Sequence, residues 1–185
     1  MKAFKLIPFL SLIGLLAIIG CEKNDKDATF GGGVIFMPQA YVSSPGFAIP
    51  QGRDSSNFNY RIDSAGNKVN IILSASCSGS DKSNGFTVNV AANTDTVQQM
   101  ITKKILDSAR TLVLPTAIYT LPTTVTVPQG QSSATFNLSI NRTQLKTYTG
   151  KKMALGVTLS SPTAYTLNPA LNKVVVVIDV DALRL

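Results

Sequence analysis

The stretch ATFNLSI at residues 134–140 alternates strictly between apolar and polar side chains. In an extended strand, successive side chains point to opposite faces of a sheet. The pattern therefore places Phe136 and Leu138 on one face and Asn137 and Ser139 on the other. Such alternation is typical of a strand that packs one face on a core and leaves the other in water. It predicts a half-buried β-strand.

Other segments carry strand signals of the same kind, and turn residues separate them. The strongest are Lys68–Cys77, Phe86–Val90, Lys152–Leu159 and Val174–Val180. In all, about seven or eight short strands separated by Pro, Gly and Asn turns predict a mostly β protein, built as an antiparallel β-sandwich. By alternation, Phe36, Phe86 and Phe136 are expected to face the core between the two sheets.

One segment has helical periodicity. From Asp95 to Ala109, apolar residues recur with a period near 3.6 and lysines lie opposite them. Asn93 and Thr94 are both suited to cap its N-terminus. We therefore expect one short helix, whose apolar stripe packs on a sheet rather than on a partner protein.

The N-terminus has the pattern of a secretory signal. Lys2 and Lys5 precede an uncharged apolar stretch that is short for a membrane span. It ends in Ile18-Ile19-Gly20-Cys21, which resembles the lipobox of bacterial lipoproteins, where the cysteine receives lipid. The alternative is a short buried helix with an incidental cysteine.

The lipobox divides the chain into three parts. We expect a signal peptide at residues 1–20, a flexible tether at residues 21–33 and a single β-sandwich domain at residues 34–185. Lipid on Cys21 would make the membrane a partner of the protein. Stable anchoring takes two membrane-binding signals because a single acyl chain binds a membrane only marginally.

Composition excludes several functions. The chain has 185 residues and no histidine or tryptophan, so a Ser-His-Asp triad, a Cys-His pair and imidazole acid–base chemistry are absent. The 17 Lys and Arg residues outnumber 10 Asp and Glu residues, and the charges are scattered along the sequence. A nucleic-acid-binding protein usually clusters its basic residues with aromatic ones. We expect no nucleic-acid partner, no metal and no cofactor.

Three stretches carry a family resemblance. They are residues 34–40, residues 112–121 and residues 125–140, which combine strand alternation with Pro and Gly turns. Together with the lipobox, they resemble the uncharacterised N-terminal "DUF" domain of Bacteroidetes-type surface lipoproteins. The resemblance implies an immunoglobulin-like sandwich and a place in loci for glycan capture and uptake. The segment Met100–Arg110 departs from the family pattern, and we expect a stand-alone form because no second domain follows Leu185 in this sequence.

The resemblance also bears on cellular location. In lipoproteins of this type, acidic residues just after the lipidated cysteine resemble a signal for display on the outer face, and Glu22, Asp25 and Asp27 follow Cys21 here. Lysines interrupt these acidic residues. We expect an outer-membrane lipoprotein at the cell surface, with a periplasm-facing position as the alternative.

Aromatic residues in turn-rich sequence are the candidates for ligand binding. Sugar sites commonly use aromatic platforms, and Tyr41, Phe47, Phe58 and Tyr60 lie where an exposed patch is expected. The alternative is that these aromatic side chains are buried in the core. Polysaccharide and outer-membrane proteins are the expected partners.

The aspartate residues provide only weak candidates for catalytic or modification sites. Asp179 and Asp181 would lie about 6–7 Å apart on one strand face, a separation compatible with an acid–base pair, although an exposed strand end explains them as well. Three tripeptides resemble acceptors for O-glycosylation, namely Asp63-Ser64-Ala65, Asp95-Thr96-Val97 and Asp107-Ser108-Ala109. We assign no catalytic residue and expect no enzymatic activity.

These observations predict a lipid-anchored, non-catalytic cell-envelope protein that serves as an accessory glycan-binding or surface-assembly module. The first alternative is a structural or adhesive module that docks a partner or forms a fimbria-like assembly through an exposed sheet edge. The second is a histidine-free hydrolase that uses Asp179 and Asp181.

Overall fold

The computed structural model describes residues 32–42, 45–50, 59–79 and 84–185. The predicted signal peptide, Cys21, most of the tether and Phe58 lie outside the described residues. The described ranges contain twelve strands. These are β1 (Val34–Phe36), β2 (Phe47–Ile49), β3 (Tyr60–Asp63), β4 (Lys68–Ser78), β5 (Phe86–Asn93), β6 (Thr111–Val113), β7 (Tyr119–Thr120), β8 (Thr124–Val127), β9 (Ser133–Asn141), β10 (Lys152–Ser160), β11 (Thr166–Leu167) and β12 (Lys173–Asp179).

The strands form two sheets. The first has the order β11-β1-β4-β9-β7, with β3 also paired to β4, and the second has the order β2-β12-β10-β5-β8, with β6 also paired to β10. The mostly β, sandwich-like fold is therefore confirmed. The number of strands exceeds the predicted seven or eight because the additional strands, β2, β6, β7 and β11, have two or three residues, too few to show a sequence pattern.

Most pairs are antiparallel, as expected, but three are parallel. These are β1 with β11, β6 with β10 and β2 with β12. In each parallel pair one member is only two or three residues long, so its direction follows from the loops on either side and leaves no signal in its own sequence.

The core lies between the sheets and follows the predicted alternation. Ile71 and Leu73 of β4 and Leu138 of β9 are fully buried, and Phe86 and Phe136 are also in the core. Phe36 is an exception, since Ile35 takes the core position of β1 and Phe36 points to the outer face. The register explains the difference because Ile35 lies opposite Cys77, which is on the core face of β4.

The predicted helix is present but shorter. Helix α1 spans Thr94–Thr102, and the side chain of Asn93 caps it by accepting a hydrogen bond from the Thr96 N–H. Lys104 adopts a left-handed conformation with φ of 58°, which ends the helical path. Leu106 is nevertheless buried, which explains why its spacing fitted the helical pattern.

Helix α1 packs on the outer face of the second sheet, as predicted. Val97 and Leu106 contact Ala154 of β10 and Val175 of β12 in a second, smaller core. A second, shorter helix, α2 (Arg142–Lys146), was not predicted. With five residues, α2 is too short to produce a periodic pattern. No helix in the described ranges is long and apolar enough to span a bilayer.

Candidate functional site

The outer face of the first sheet carries a ladder of small polar side chains. The two long central strands, β4 and β9, run antiparallel with Asn70 opposite Ser139 and Ser74 opposite Thr135. Because the other face of both strands is in the core, the alternate positions must point outward. We call this surface the polar face; Ile72, opposite Asn137, also points outward there, and the polar side chains of the face are Asn70, Ser74, Ser76, Ser133, Thr135, Asn137 and Ser139.

The side chains of the polar face carry no charge themselves, although the exposed Arg61 of β3 lies opposite Asn70 at its edge, and the β9 side of the face is accessible. Ser133, Thr135 and Asn137 are exposed, and no residue from Val69 to Ser78 or from Thr111 to Asn141 carries a charge. The Ser139 hydroxyl donates to Asn70 Oδ1 at 2.6 Å, which fixes both side chains across the strands. Hydroxyl and amide groups both donate and accept hydrogen bonds, so this surface suits a ligand rich in hydroxyl groups.

An exposed tyrosine flanks the polar face. Tyr41 lies in a 3-10 turn at Pro38–Val42 and is 68% exposed. Its ring contacts that of Phe36 edge-on, with centroids 5.5 Å apart, and Phe36 is paired in register with Ser76. This contact orders an exposed aromatic surface next to the polar ladder.

The turn that carries Tyr41 is tied to the sheet. Gln39 Oε1 accepts a hydrogen bond from the Ser74 backbone N–H at 3.3 Å, at a point of the β4 edge between its pairings with β1 and β3. Ser74 is buried. The Gln39 side chain thus replaces a strand partner and holds the turn in place.

Two of the predicted aromatic candidates are not exposed. Phe47 is 4% exposed and Tyr60 is 6% exposed, and both belong to the main core. Tyr60 lies opposite the buried Ile71, and Phe47 lies opposite the buried Val176, so both rings face inward. The expectation of an exposed patch is wrong for these two residues.

A cleft of about 220 Å³ lies at the end of the polar face, beside α2. Its lining includes Asn67, Lys68, Tyr119, Thr120, Asn141 and Gln144. Burial raises the pKa of the Tyr119 hydroxyl above its ordinary value of 10.0. Neither this cleft nor the polar face was predicted from the sequence, although the outward residues of the 134–140 pattern were a signal for the polar face.

The two aspartates considered for catalysis do not share a strand face. Asp179 is the last residue of β12, and Asp181 lies in the turn that follows. Asp179 forms an ion pair with Lys152 at 3.8 Å and accepts a hydrogen bond from the Ala182 N–H. Asp181 accepts one from the Gly150 N–H at 2.9 Å. The predicted geometry is wrong because the strand ends at the first aspartate, and both carboxylates stabilise local turns.

The glycosylation candidates lie in three settings. Asp63-Ser64-Ala65 is in the β3–β4 hairpin, where the Ser64 hydroxyl accepts a hydrogen bond from Arg142 at 3.2 Å. Thr96 is within α1, and Ser108 lies in the turn before β6. Modification at these positions stays a prediction. In the described ranges, no three His, Cys, Asp or Glu side chains gather as metal ligands would.

Several solved structures similar to this chain come from Bacteroides ovatus. One is a "putative carbohydrate binding protein" with 14% identity and a TM-score of 0.46, matched over 60% of this chain and 31% of its own. Another, of unknown function, has 18% identity and a TM-score of 0.48, with coverages of 79% and 45%. A multidomain protein including DUF1735 has 20% identity and a TM-score of 0.46, with coverages of 69% and 43%. The chain thus spans less than half the length of these proteins.

No curated protein matches the chain significantly. The model of a family described as "-like, N-terminal domain" matches residues 36–166, which is more than two thirds of the chain. The matched range includes two of the three stretches on which the resemblance was based and most of the third. The protein therefore belongs to this N-terminal-domain family.

Proposed function

We propose that the protein is a lipid-anchored, non-catalytic module of the cell envelope that binds neutral glycan chains through the polar face. The observation that carries the proposal is an uncharged Ser, Thr and Asn ladder beside Tyr41, an ordered and exposed aromatic side chain. Family membership supports it, since such domains resemble those found in glycan-uptake loci.

The chemistry of the face matches that of a sugar chain. Sugar rings present hydroxyl groups at their edges and apolar C–H groups on their faces. Outward side chains repeat about every 6.6–6.8 Å along a strand and about 4.8 Å between strands, so β4 and β9 offer a regular grid of hydrogen-bonding groups. Tyr41 supplies the apolar surface on which a ring face can stack.

Binding of neutral polysaccharides tests the proposal. Affinity electrophoresis of the full-length protein in gels that contain xylan, galactomannan, mannan or β-glucan should show retardation by at least one of them. Tyr41→Ala and Asn137→Ala should each weaken that binding by about tenfold, as expected for the loss of a central contact. Leu112→Ala, which removes an exposed apolar side chain from the second sheet, is the matched control and should bind normally. Lack of retardation in every gel would contradict the proposal.

The anchor has its own test. The lipobox at Cys21 predicts that wild-type protein incorporates radiolabelled palmitate and sediments with outer membranes, whereas Cys21→Ser does neither. Protease treatment of intact cells then distinguishes display on the surface from a periplasm-facing position. A Cys21→Ser protein that stays equally membrane-bound would overturn the anchor without affecting the glycan site.

The structure does not favour strand addition, the mode of assembly considered as the alternative. The strands that end the two sheets in the described ranges have two to four residues. Pro122 and Pro128 also flank β8, and short, proline-flanked edges hinder pairing with another chain. A stable co-purifying protein whose binding requires one of these edge strands would support the alternative of a structural or adhesive module.

A further inference from the structure

Basic residues that are scattered along the sequence meet at one end of the sandwich. Lys68 begins β4 and lies opposite Asn141, which leads into α2, while Lys152 begins β10 and lies opposite Thr111. The short connection between Asn141 and Lys152 joins these ends of the two sheets. We call this the basic end; its basic residues are Lys68, Arg110, Arg142, Lys146, Lys151, Lys152 and Arg184.

Hydrogen bonds confirm that these segments adjoin one another. The Arg142 N–H donates to the Asn67 carbonyl at 2.9 Å, and the Lys152 N–H donates to the Arg110 carbonyl at 2.8 Å. The turn after β12, which contains Arg184, is tied to Gly150 through Asp181.

The opposite end carries a single charge in its described residues, that of Lys173 at the start of β12. It includes Gly33 and Val34 at the start of β1, Ser78 at the end of β4, Phe86 at the start of β5 and the 161–166 segment. The 80–83 loop is not described. Segments 69–79, 111–141 and 153–172 contain no charged residue. The two ends differ in charge because the fold gathers charged residues that flank these segments at the basic end.

Carboxylates at the basic end do not neutralise it. The four that lie there are Asp63, Asp107, Asp179 and Asp181, against seven basic side chains. Within the described ranges, the ion pair shorter than 4.0 Å at this end is that of Lys152 with Asp179. The other three carboxylates accept backbone N–H groups in turns. A positive excess therefore remains.

A cleft at the basic end brings two of these cations to one opening. The cleft has a volume of about 200 Å³ and is lined by Lys146, Thr149, Asp181 and Arg184, among others. Lys146 and Arg184 are both exposed. A guanidinium group binds a carboxylate or sulfate through two parallel hydrogen bonds, and an ammonium group adds a compact charge. Asp181 also lines the cleft and repels a single anion placed inside it. The cleft therefore favours a ligand whose anionic groups are spaced apart.

We propose that the basic end binds an acidic polysaccharide, through repeated carboxylate or sulfate groups that Lys146 and Arg184 contact at the cleft. This surface is distinct from the polar face, which is uncharged. The two together would let the module hold a chain that carries both neutral and acidic sugars.

The alternative polyanion is the surface of the anchoring membrane, and the fold disfavours it. Residues 22–33, between the proposed lipid and β1, reach at most about 43 Å when fully extended. They lead into β1 at the end opposite the basic end, and the 11 residues of β4 separate the two ends by about 35 Å. End-on contact of the basic end with the same bilayer would require a largely stretched tether. This choice of occupant rests on the proposed anchor at Cys21.

Binding of polygalacturonate tests the inference, with neutral pullulan and anionic phosphatidylglycerol vesicles as the comparison probes. The full-length protein should bind polygalacturonate, and the affinity should fall steeply as NaCl rises from about 0.05 to about 0.5 M, because salt screens exposed charges. The double variant Lys146→Gln, Arg184→Gln should lose about tenfold or more in affinity, while Lys146→Arg should retain it.

Matched controls separate this inference from the proposed function. Lys173→Gln removes a positive charge away from the basic end and should leave the binding of polygalacturonate unchanged, as should Tyr41→Ala. Equal losses in Lys173→Gln and in the double variant would overturn the inference, and so would tighter binding to vesicles than to polygalacturonate. A thermal melt of the double variant matching that of the wild type confirms that the loss is local.

Discussion

The substitution Gly156→Ala tests how the second sheet positions α1. Gly156 of β10 lies opposite Asn93, the residue at which β5 becomes the helix. A Cβ atom added at Gly156 would lie 2.3 Å from the Asn93 carbonyl oxygen, whereas real contacts essentially never fall below 3.0 Å. The backbone of Asn93 must therefore move by about 0.7 Å or more, and the cap on the Thr96 N–H moves with it.

The expected cost is the balance of three effects. Overpacking against backbone costs about 1–3 kcal/mol, and partial loss of an Asn cap costs about 0.5–1 kcal/mol of the ~0.5–2 that a full cap contributes. Loss of the glycine's freedom in the unfolded chain offsets about 0.4–1 kcal/mol. We expect a net loss of about 2 kcal/mol in the free energy of unfolding, which for a domain of this size lowers Tm by about 4–8 °C.

Urea unfolding of the purified protein, followed by circular dichroism, measures this cost. Gly32→Ala is the control because nothing lies within 4 Å of its Cβ position. In an Asn93→Ala background, the cost of Gly156→Ala should be smaller by about 0.5 kcal/mol or more, since the cap is already lost. A Gly156→Ala protein as stable as Gly32→Ala, or costs that simply add in the double mutant, would refute the reasoning.

Three other substitutions probe the first sheet and its surroundings. Gln39→Ala removes the acceptor of the buried Ser74 N–H and should cost about 1–3 kcal/mol in urea unfolding, whereas Gln39→Glu keeps an acceptor and should cost less. Leu145→Ala creates a cavity under α2 and should cost about 2–5 kcal/mol by the same assay, and a loss below about 1 kcal/mol would contradict that packing. The raised pKa of Tyr119 means that the unfolded chain loses this proton first, so stability should fall as pH rises above 10.0, and Tyr119→Phe should reduce that fall in melts across alkaline pH.

Local sequence patterns were sufficient to predict which side chains of the long strands face the core. Alternation in β4 and β9 correctly placed Leu73, Phe136 and Leu138 inward, and the polar positions between them are the ladder of the polar face. The Asn93 cap was also recognisable, because a capping side chain bonds to a backbone group three residues away. These features are local, so a short stretch of sequence is sufficient to specify them.

The tertiary structure decided what depends on contacts between distant segments. Phe47 and Tyr60 lie in strands of three and four residues, whose burial comes from pairing with β12 and β4 and not from any pattern of their own. The same holds for the basic end. Its charges are dispersed along the chain, and they meet only because the strand register brings the starts of β4 and β10 and the end of β12 together. Side-chain periodicity specifies a face, but it carries no information on which distant segment will lie beside that face.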